Sequence, residues 1–196
     1  MTLLLSLQPS APGAVSGAQP PLLMELVAEI DLSPHQHEGI TALRNTCFPA
    51  YALPRSYFKQ RPHLRGLVWQ GDQLVGHVGL DQRMIAVGDQ PVAILGLIDL
   101  CVAPQLRGQG LASAMLAELQ VFARSKALDY LFLIAEDPSL YLANGFVQIT
   151  QYCSWLRIND FKNYGVAVEL LDDILIKAVG DAPWPDRPID LLGYMF

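Results

Sequence analysis

Polar and apolar residues alternate from Leu74 to Asp81, with Leu74, Gly76, Val78 and Leu80 on one side and Val75, His77, Gly79 and Asp81 on the other. That two-residue period predicts a strand. The same reading predicts strands over 24–30, 67–70, 74–84 (with 85–87 continuing) and 92–102, turning at Gly71-Asp72 and Gly88-Asp89 as an antiparallel meander. Beyond Gly108 the period lengthens. Leu111, Met115, Leu119 and Phe122 recur at four, four and three, one face of a helix ending near Lys126. Ser33-Pro34-His35-Gln36 holds the N-cap, first-turn proline and capping-box glutamine of another helix, running to about Asn45, and a further helical stretch is expected over 54–60. Strands are expected over 130–135, 146–149, 153–158 and 166–179, with a short helix opened by Asp137-Pro138 and stopped at Asn144-Gly145. The order predicts an α+β fold with a mixed, mostly antiparallel sheet.

Residues 8–21 carry four prolines, two glycines and no charge. Residues 1–22 are therefore expected to be a flexible segment, and 23–196 a single domain with a C-terminal extension from about 159. With 13 basic against 19 acidic residues, a net charge of −6 argues against nucleic acid. The longest apolar run, Val92 to Ala103, is broken by Asp99 and falls short of the roughly 18 residues of a membrane span. Met1 to Leu7 lacks the basic flank and apolar length of a signal peptide. Cys47, Cys101 and Cys153 are odd in number and far apart, which reads as free thiols in a reducing cytoplasm. His35 and His37 point to different sides of a helix, so no metal site is expected. A mean hydropathy of +0.27 fits a large core, and equally an apolar ligand channel or the buried interface of a homodimer.

The segment Asp99-Leu100-Cys101-Val102-Ala103-Pro104-Gln105-Leu106-Arg107-Gly108-Gln109-Gly110-Leu111-Ala112-Ser113 carries the chemistry: a strand runs into a glycine-rich turn that opens a helix. Glycines let backbone approach a ligand, and the first helical turn offers unpaired N–H groups at the positive end of the dipole, so the segment suits a phosphate or pyrophosphate. A P-loop would place lysine and Ser or Thr where Leu111 and Ala112 stand. A dinucleotide fold would need Gly or Ala at Ser113 and an earlier place in the chain.

Gln105-x-x-Gly108-x-Gly110, with Val102-x-Pro104 before it and Leu111 after, resembles the pyrophosphate loop of the GCN5-related N-acetyltransferase (GNAT) superfamily. Tyr141-x-x-x-Gly145-Phe146 resembles that family's second element, and the two together extend the resemblance over roughly residues 24–158. The resemblance implies helices on both faces of the sheet and a strand-loop-helix site for acetyl-CoA. The pyrophosphate would sit on the amides of Arg107, Gly108, Gln109, Gly110, Leu111 and Ala112, and the pantetheine arm would pair with the backbone of Cys101 and Val102. It also implies an acetyl transfer to a primary amine of a small molecule by direct attack in a ternary complex, with Asp99 as base and Tyr141 as the acid that protonates the leaving thiolate. A non-catalytic CoA-binding regulatory domain and a longer-chain N-acyltransferase are the alternatives. Six carboxylates against two basic residues between Glu169 and Asp190 read as a solvated acidic end, or as an attractor for a cationic amine with Trp184 as a wall. This tail loosely resembles those of aminoglycoside 2'-N-acetyltransferases and nodulation N-acyltransferases.

Overall fold

The computed structural model describes residues 3–6 and 22–196, so most of the expected flexible segment, residues 1–2 and 7–21, lies outside the described residues. The chain forms two compact units, one of residues up to Leu80 with Ile98–Leu119, the other of Asp81–Leu97 with Gln120–Phe196.

In the first unit, β1 (Leu3–Ser6), β2 (Leu23–Ala28), β3 (Leu64–Gln70) and the leading half of β4 (Gln73–Val87) pair antiparallel in chain order. Gly71, at φ 58, makes the two-residue turn between β3 and β4. Helix α1 (Pro34–Cys47) starts as its sequence predicts: Gln36 N donates to Ser33 Oγ and Ser33 N to Gln36 Oε1, the reciprocal capping box. Its Gly39 lies against Trp69 and Leu74, close enough that a Cβ would press on the indole. The helix expected over 54–60 does not form; only a short 3-10 turn at Pro49–Tyr51 precedes it. Side chains take up the segment's backbone groups instead: Asn45 brackets Leu53 through both its N–H and its carbonyl, and Arg55 donates to Tyr57 O and Phe58 O. The end of β5 (Gln90–Val102) and the start of α2 (Leu111–Ser125) complete the unit, with Met115 packed on Gly76.

In the second unit the sheet is mixed. β5 pairs parallel with β6 (Tyr130–Ile134), and β6 antiparallel with β8 (Lys162–Ala178). β8 pairs antiparallel with β7 (Val147–Asn159), and β7 parallel with β9 (Ile189–Tyr194). β9 returns to β4 through Val87–Ile189. Ile85, Ile94, Phe132, Cys153, Ile174 and Ile189 belong to its core. The expected strands 146–149 and 153–158 are one strand, and β9 lies in a tail whose acidic composition hid it.

Helix α3 (Ser139–Ala143) explains a motif. The N–H of Gly145 donates to Leu142 O at 3.1 Å and that of Phe146 to Tyr141 O at 3.0 Å, the paired bonds of a Schellman stop, with Gly145 left-handed at φ 78. The Tyr141 and Phe146 rings meet edge to face at 5.6 Å, the apolar contact that accompanies this stop. Tyr-x-x-x-Gly-Phe is thus the spacing of a helix end. A Cβ at Gly145 would meet only Lys177, at 3.7 Å, so Gly145→Ala should cost only the left-handed strain, about 1–2 kcal/mol, in urea unfolding. An unchanged midpoint would mean that the stop is not under that constraint.

Candidate active site

Asp99 has left-handed backbone (φ 51) inside β5. Such a conformation costs a non-glycine residue on the order of 1 kcal/mol or more, so other contacts must impose it. Arg44 Nε donates to Asp99 Oδ2 at 2.5 Å, and His77 Nδ1 lies 3.2 Å from the Asp99 carbonyl. Arg65 Nη1 is 3.1 Å from His77 Nε2. A guanidinium only donates, so Nε2 accepts, the proton sits on Nδ1, and it is donated to the carbonyl. Arg65 Nε in turn donates to Glu29 Oε2 at 2.6 Å. All four partners are buried, and burial, with the Arg65 charge, holds the His77 imidazole well below its usual pKa, hence neutral. Cys101 and Val102, just beyond the left-handed Asp99, are both buried.

The following loop is shaped by glycine. Gly108 and Gly110 stand at φ 72 and φ 82, and a Cβ on Gly108 would meet nothing within 4 Å. Above it there is open space, beside the N-terminal end of α2 with its positive dipole. These residues fit a pyrophosphate. Gln109 Nε2 donates to Gln105 O at 2.9 Å, which braces the turn. Arg107 Nε donates to Val102 O at 3.2 Å, and Cys47 Sγ lies 3.5 Å from that same oxygen. A pantetheine amide that donated to Val102 would therefore meet the Arg107 donor already in place.

The three thiols differ sharply. A hydrogen bond from the Cys101 thiol, with Arg107 nearby, brings Cys47 down to about 6 despite its partial burial. Cys101 is pushed up by its contact with Cys47 and by burial. Cys153 is raised to about 12, mainly by burial.

Thus Asp99, Cys101, Val102 and residues 107–112 share the first unit, and Tyr141 belongs to the second, half-buried on α3. Two cavities stand out. One of about 550 Å³ in the first unit is lined by His37, Glu38 and Thr41 of α1 and by Arg55, Tyr57 and Arg61. The other, about 590 Å³ in the second unit, has Trp184, Lys177 and Asp186 on its wall. Trp184 Nε1 donates to Gln151 Oε1 at 2.8 Å, and Gln151 Nε2 lies 3.3 Å from Asp186 Oδ1, so these tail groups already have partners. Sequence reasoning missed Arg44, Arg65 and Glu29. The available signal was an arginine at Ile40+4 on the apolar face of α1, and another inside the apolar run of β3.

A family model described as the acetyltransferase (GNAT) family matches residues 25–146, more than half of the chain. No curated protein matches in sequence. The GNAT-family N-acetyltransferase YhbS of Escherichia coli, solved in complex with CoA, is 19% identical with a TM-score of 0.60 over 89% of this chain and 93% of its own. Escherichia coli ElaA is 16% identical, TM-score 0.54, over 80% of this chain and 99% of its own. A GCN5-related N-acetyltransferase from Anabaena variabilis is 15% identical, TM-score 0.51, over 67% of this chain, which spans only 34% of that longer protein. At these identities the likeness is one of fold.

Two outcomes are expected from this geometry. Iodoacetamide should modify Cys47 ahead of Cys101 and Cys153, with a rate that rises through about pH 6 as the thiolate forms; labelling spread evenly over the three, by peptide mass spectrometry, would contradict the assignment. His77 has a folded pKa below its unfolded one, so the unfolded chain takes up the proton first as pH falls through about 6.5. Its contribution to stability is complete above that value and lost below it. His77→Gln, which keeps a donor and an acceptor, should flatten the slope of unfolding free energy by up to one proton between about pH 6.5 and 5. An identical slope in the variant would show that His77 titrates alike in both states.

Proposed function

The chain belongs to the acetyltransferase (GNAT) family, and on that premise we propose that it transfers an acetyl group from acetyl-CoA to a primary amine of a small molecule, in the cytoplasm, by direct attack in a ternary complex. The observation that carries the reading is the pair of left-handed glycines, 108 and 110, before α2, with open space over Gly108. Acetyl-CoA supplies the activated thioester. The amides from Arg107 to Ala112 would hold its pyrophosphate.

In this reading Asp99 takes a proton from the acceptor ammonium, directly or through water. Its Oδ2 is committed to Arg44, and Oδ1 is the oxygen left for that task. The kinked backbone at Asp99 keeps the strand's groups turned toward a reacting carbonyl, and a free amide there would stabilise the oxyanion. Tyr141 delivers a proton to the departing thiolate, held in place by the helix stop built at Gly145. The cavity of about 550 Å³, opening on α1 one turn before Arg44, has the size of a small-molecule site, and its Glu38 offers a carboxylate to an ammonium.

The test is thiol release with acetyl-, malonyl- and palmitoyl-CoA over a panel of small amines. Release that depends on both partners and is fastest with acetyl-CoA supports the proposal. CoA binding without turnover supports the regulatory-domain alternative, and a preference for palmitoyl-CoA the longer-chain transferase. Gly108→Glu should abolish CoA binding in calorimetry, since its carboxylate would occupy the pyrophosphate position, whereas Gly108→Ala should cost about 1–2 kcal/mol of stability and keep binding. Equal CoA affinity in wild type and folded Gly108→Glu would remove the loop from the site. Tyr141→Phe should lower kcat by roughly 10²-fold with CoA affinity unchanged. Unchanged turnover, with chemistry rate-limiting, would leave Tyr141 as a packing residue of α3.

A further inference from the structure

Among the described residues, nothing covers one face of the hairpin of β7 and β8. Its alternation sends Cys153, Trp155 and Leu171 into the core, while Ala167 is buried on the same side. The intervening positions point the other way, and Tyr152, Val166, Val168 and Leu170 are 57, 65, 65 and 56% exposed, with Tyr164, 52% exposed, beyond the shift in register between Leu156 and Ile158. The register places Tyr152 beside Leu170, Ser154 beside Val168 and Leu156 beside Val166, so these side chains form one continuous strip. Phe161, at the tip, extends it. β8 pairs with β6 through Ile174–Ala178, which leaves Lys162–Leu171 with β7 as its strand neighbour among the described residues. Nothing on this stretch blunts the edge with proline, and its charges are confined to Lys162 and Glu169.

We propose that this strip is the surface through which two copies of the chain associate about a two-fold axis. A symmetric contact sets each residue near its own equivalent, so charges on it repel. The chain has a net charge of −6. Yet positions 152, 154 and 156 of β7 and 166, 168 and 170 of β8 carry no formal charge at neutral pH, and the carboxylate of Asp190 on β9, beside Ser154, marks the rim. A copy of the same chain can therefore meet along the centre of the strip without like-charge cost. The area agrees. Tyr152, Val166, Val168 and Leu170, each exposing about 100 Å², give roughly 400 Å² of apolar surface, and Leu156, Ile158 and the tip residues Phe161 and Tyr164 bring it toward the ~800 Å² each partner gives a stable interface. This inference is independent of the acyltransferase reading.

Sedimentation equilibrium of the full chain, from roughly 0.1 to 100 µM, tests it. Wild type is expected to be a dimer that dissociates toward the low end. Val168→Glu should raise the dimer Kd by about 100-fold or more, by burying two like charges. Val121→Glu, at an exposed apolar position on α2, should leave it unchanged. A wild type monomeric throughout, or a folded Val168→Glu variant that stays dimeric, overturns the proposal. If Val168→Glu fails to fold, hydrogen exchange of wild type decides. Amides of 162–171 should be protected at high concentration and lose that protection on dilution; protection independent of concentration overturns it.

Discussion

The site rests on the conformation of one residue. Asp99 is held left-handed because its carboxylate and its carbonyl are both claimed from below, the first by Arg44 and the second by His77. These partners come from α1 and β4, and Arg65 and Glu29 carry the chain of bonds to β3 and the end of β2. Burying two guanidinium groups is expensive, and one nitrogen of each has no hydrogen-bond partner among the described residues. The arrangement costs more than an apolar core would, but it pins a bend into a strand that would otherwise alternate. It also means that Asp99 cannot be altered in isolation. Removing its carboxylate leaves a buried guanidinium uncompensated, a loss on the order of 3–5 kcal/mol, so lost activity in such a variant would mix chemistry with stability.

The Val102 carbonyl adds a second constraint. It accepts from Arg107, so a strand edge that took a pantetheine arm would already have a donor on it. A ligand amide would exchange with that donor, and the net gain of the bond is correspondingly small. The specificity of such a site would then come from the loop, where Gly108 leaves open space, and from the kink that ends the regular strand.

Much of the fold was legible because its signals are local. Ser33 and Gln36 lie within one helical turn of each other, Gly71 and Gly88 sit in their own turns, and the spacing from Tyr141 to Phe146 is the geometry of a helix end. The loop from Gln105 to Gly110 is local in the same sense. What escaped is long-range. Arg44 and Asp99 are 55 residues apart, and Arg65 and Glu29 are 36 apart. No period within a strand or helix encodes which charged residue will meet another. An arginine on the apolar face of α1 marks a buried charge without naming its partner.

The acidic tail shows the same limit from the other side. Read as charge, residues 169–190 suggest a solvated end, yet the segment builds part of the second unit's core. Trp184 packs edge-on against Tyr130 at 4.9 Å, and Ile189 and Leu191 are buried on β9. The Phe196 ring occupies the place where a side chain on Gly96 would stand. Arg83 pins the end of the chain, donating to Asp81 and to Tyr194 O while lying over the rings of Tyr194 and Phe196. The carboxylates are partly structural too: Asp186 faces Gln151, and Asp190 Oδ1 accepts from Leu192 N in the bend where Leu192 is left-handed. Deleting residues 182–196 would therefore strip apolar cover from that core. Any contribution of the tail's charge to a substrate can be separated from the fold only by single substitutions that keep its aromatic residues in place.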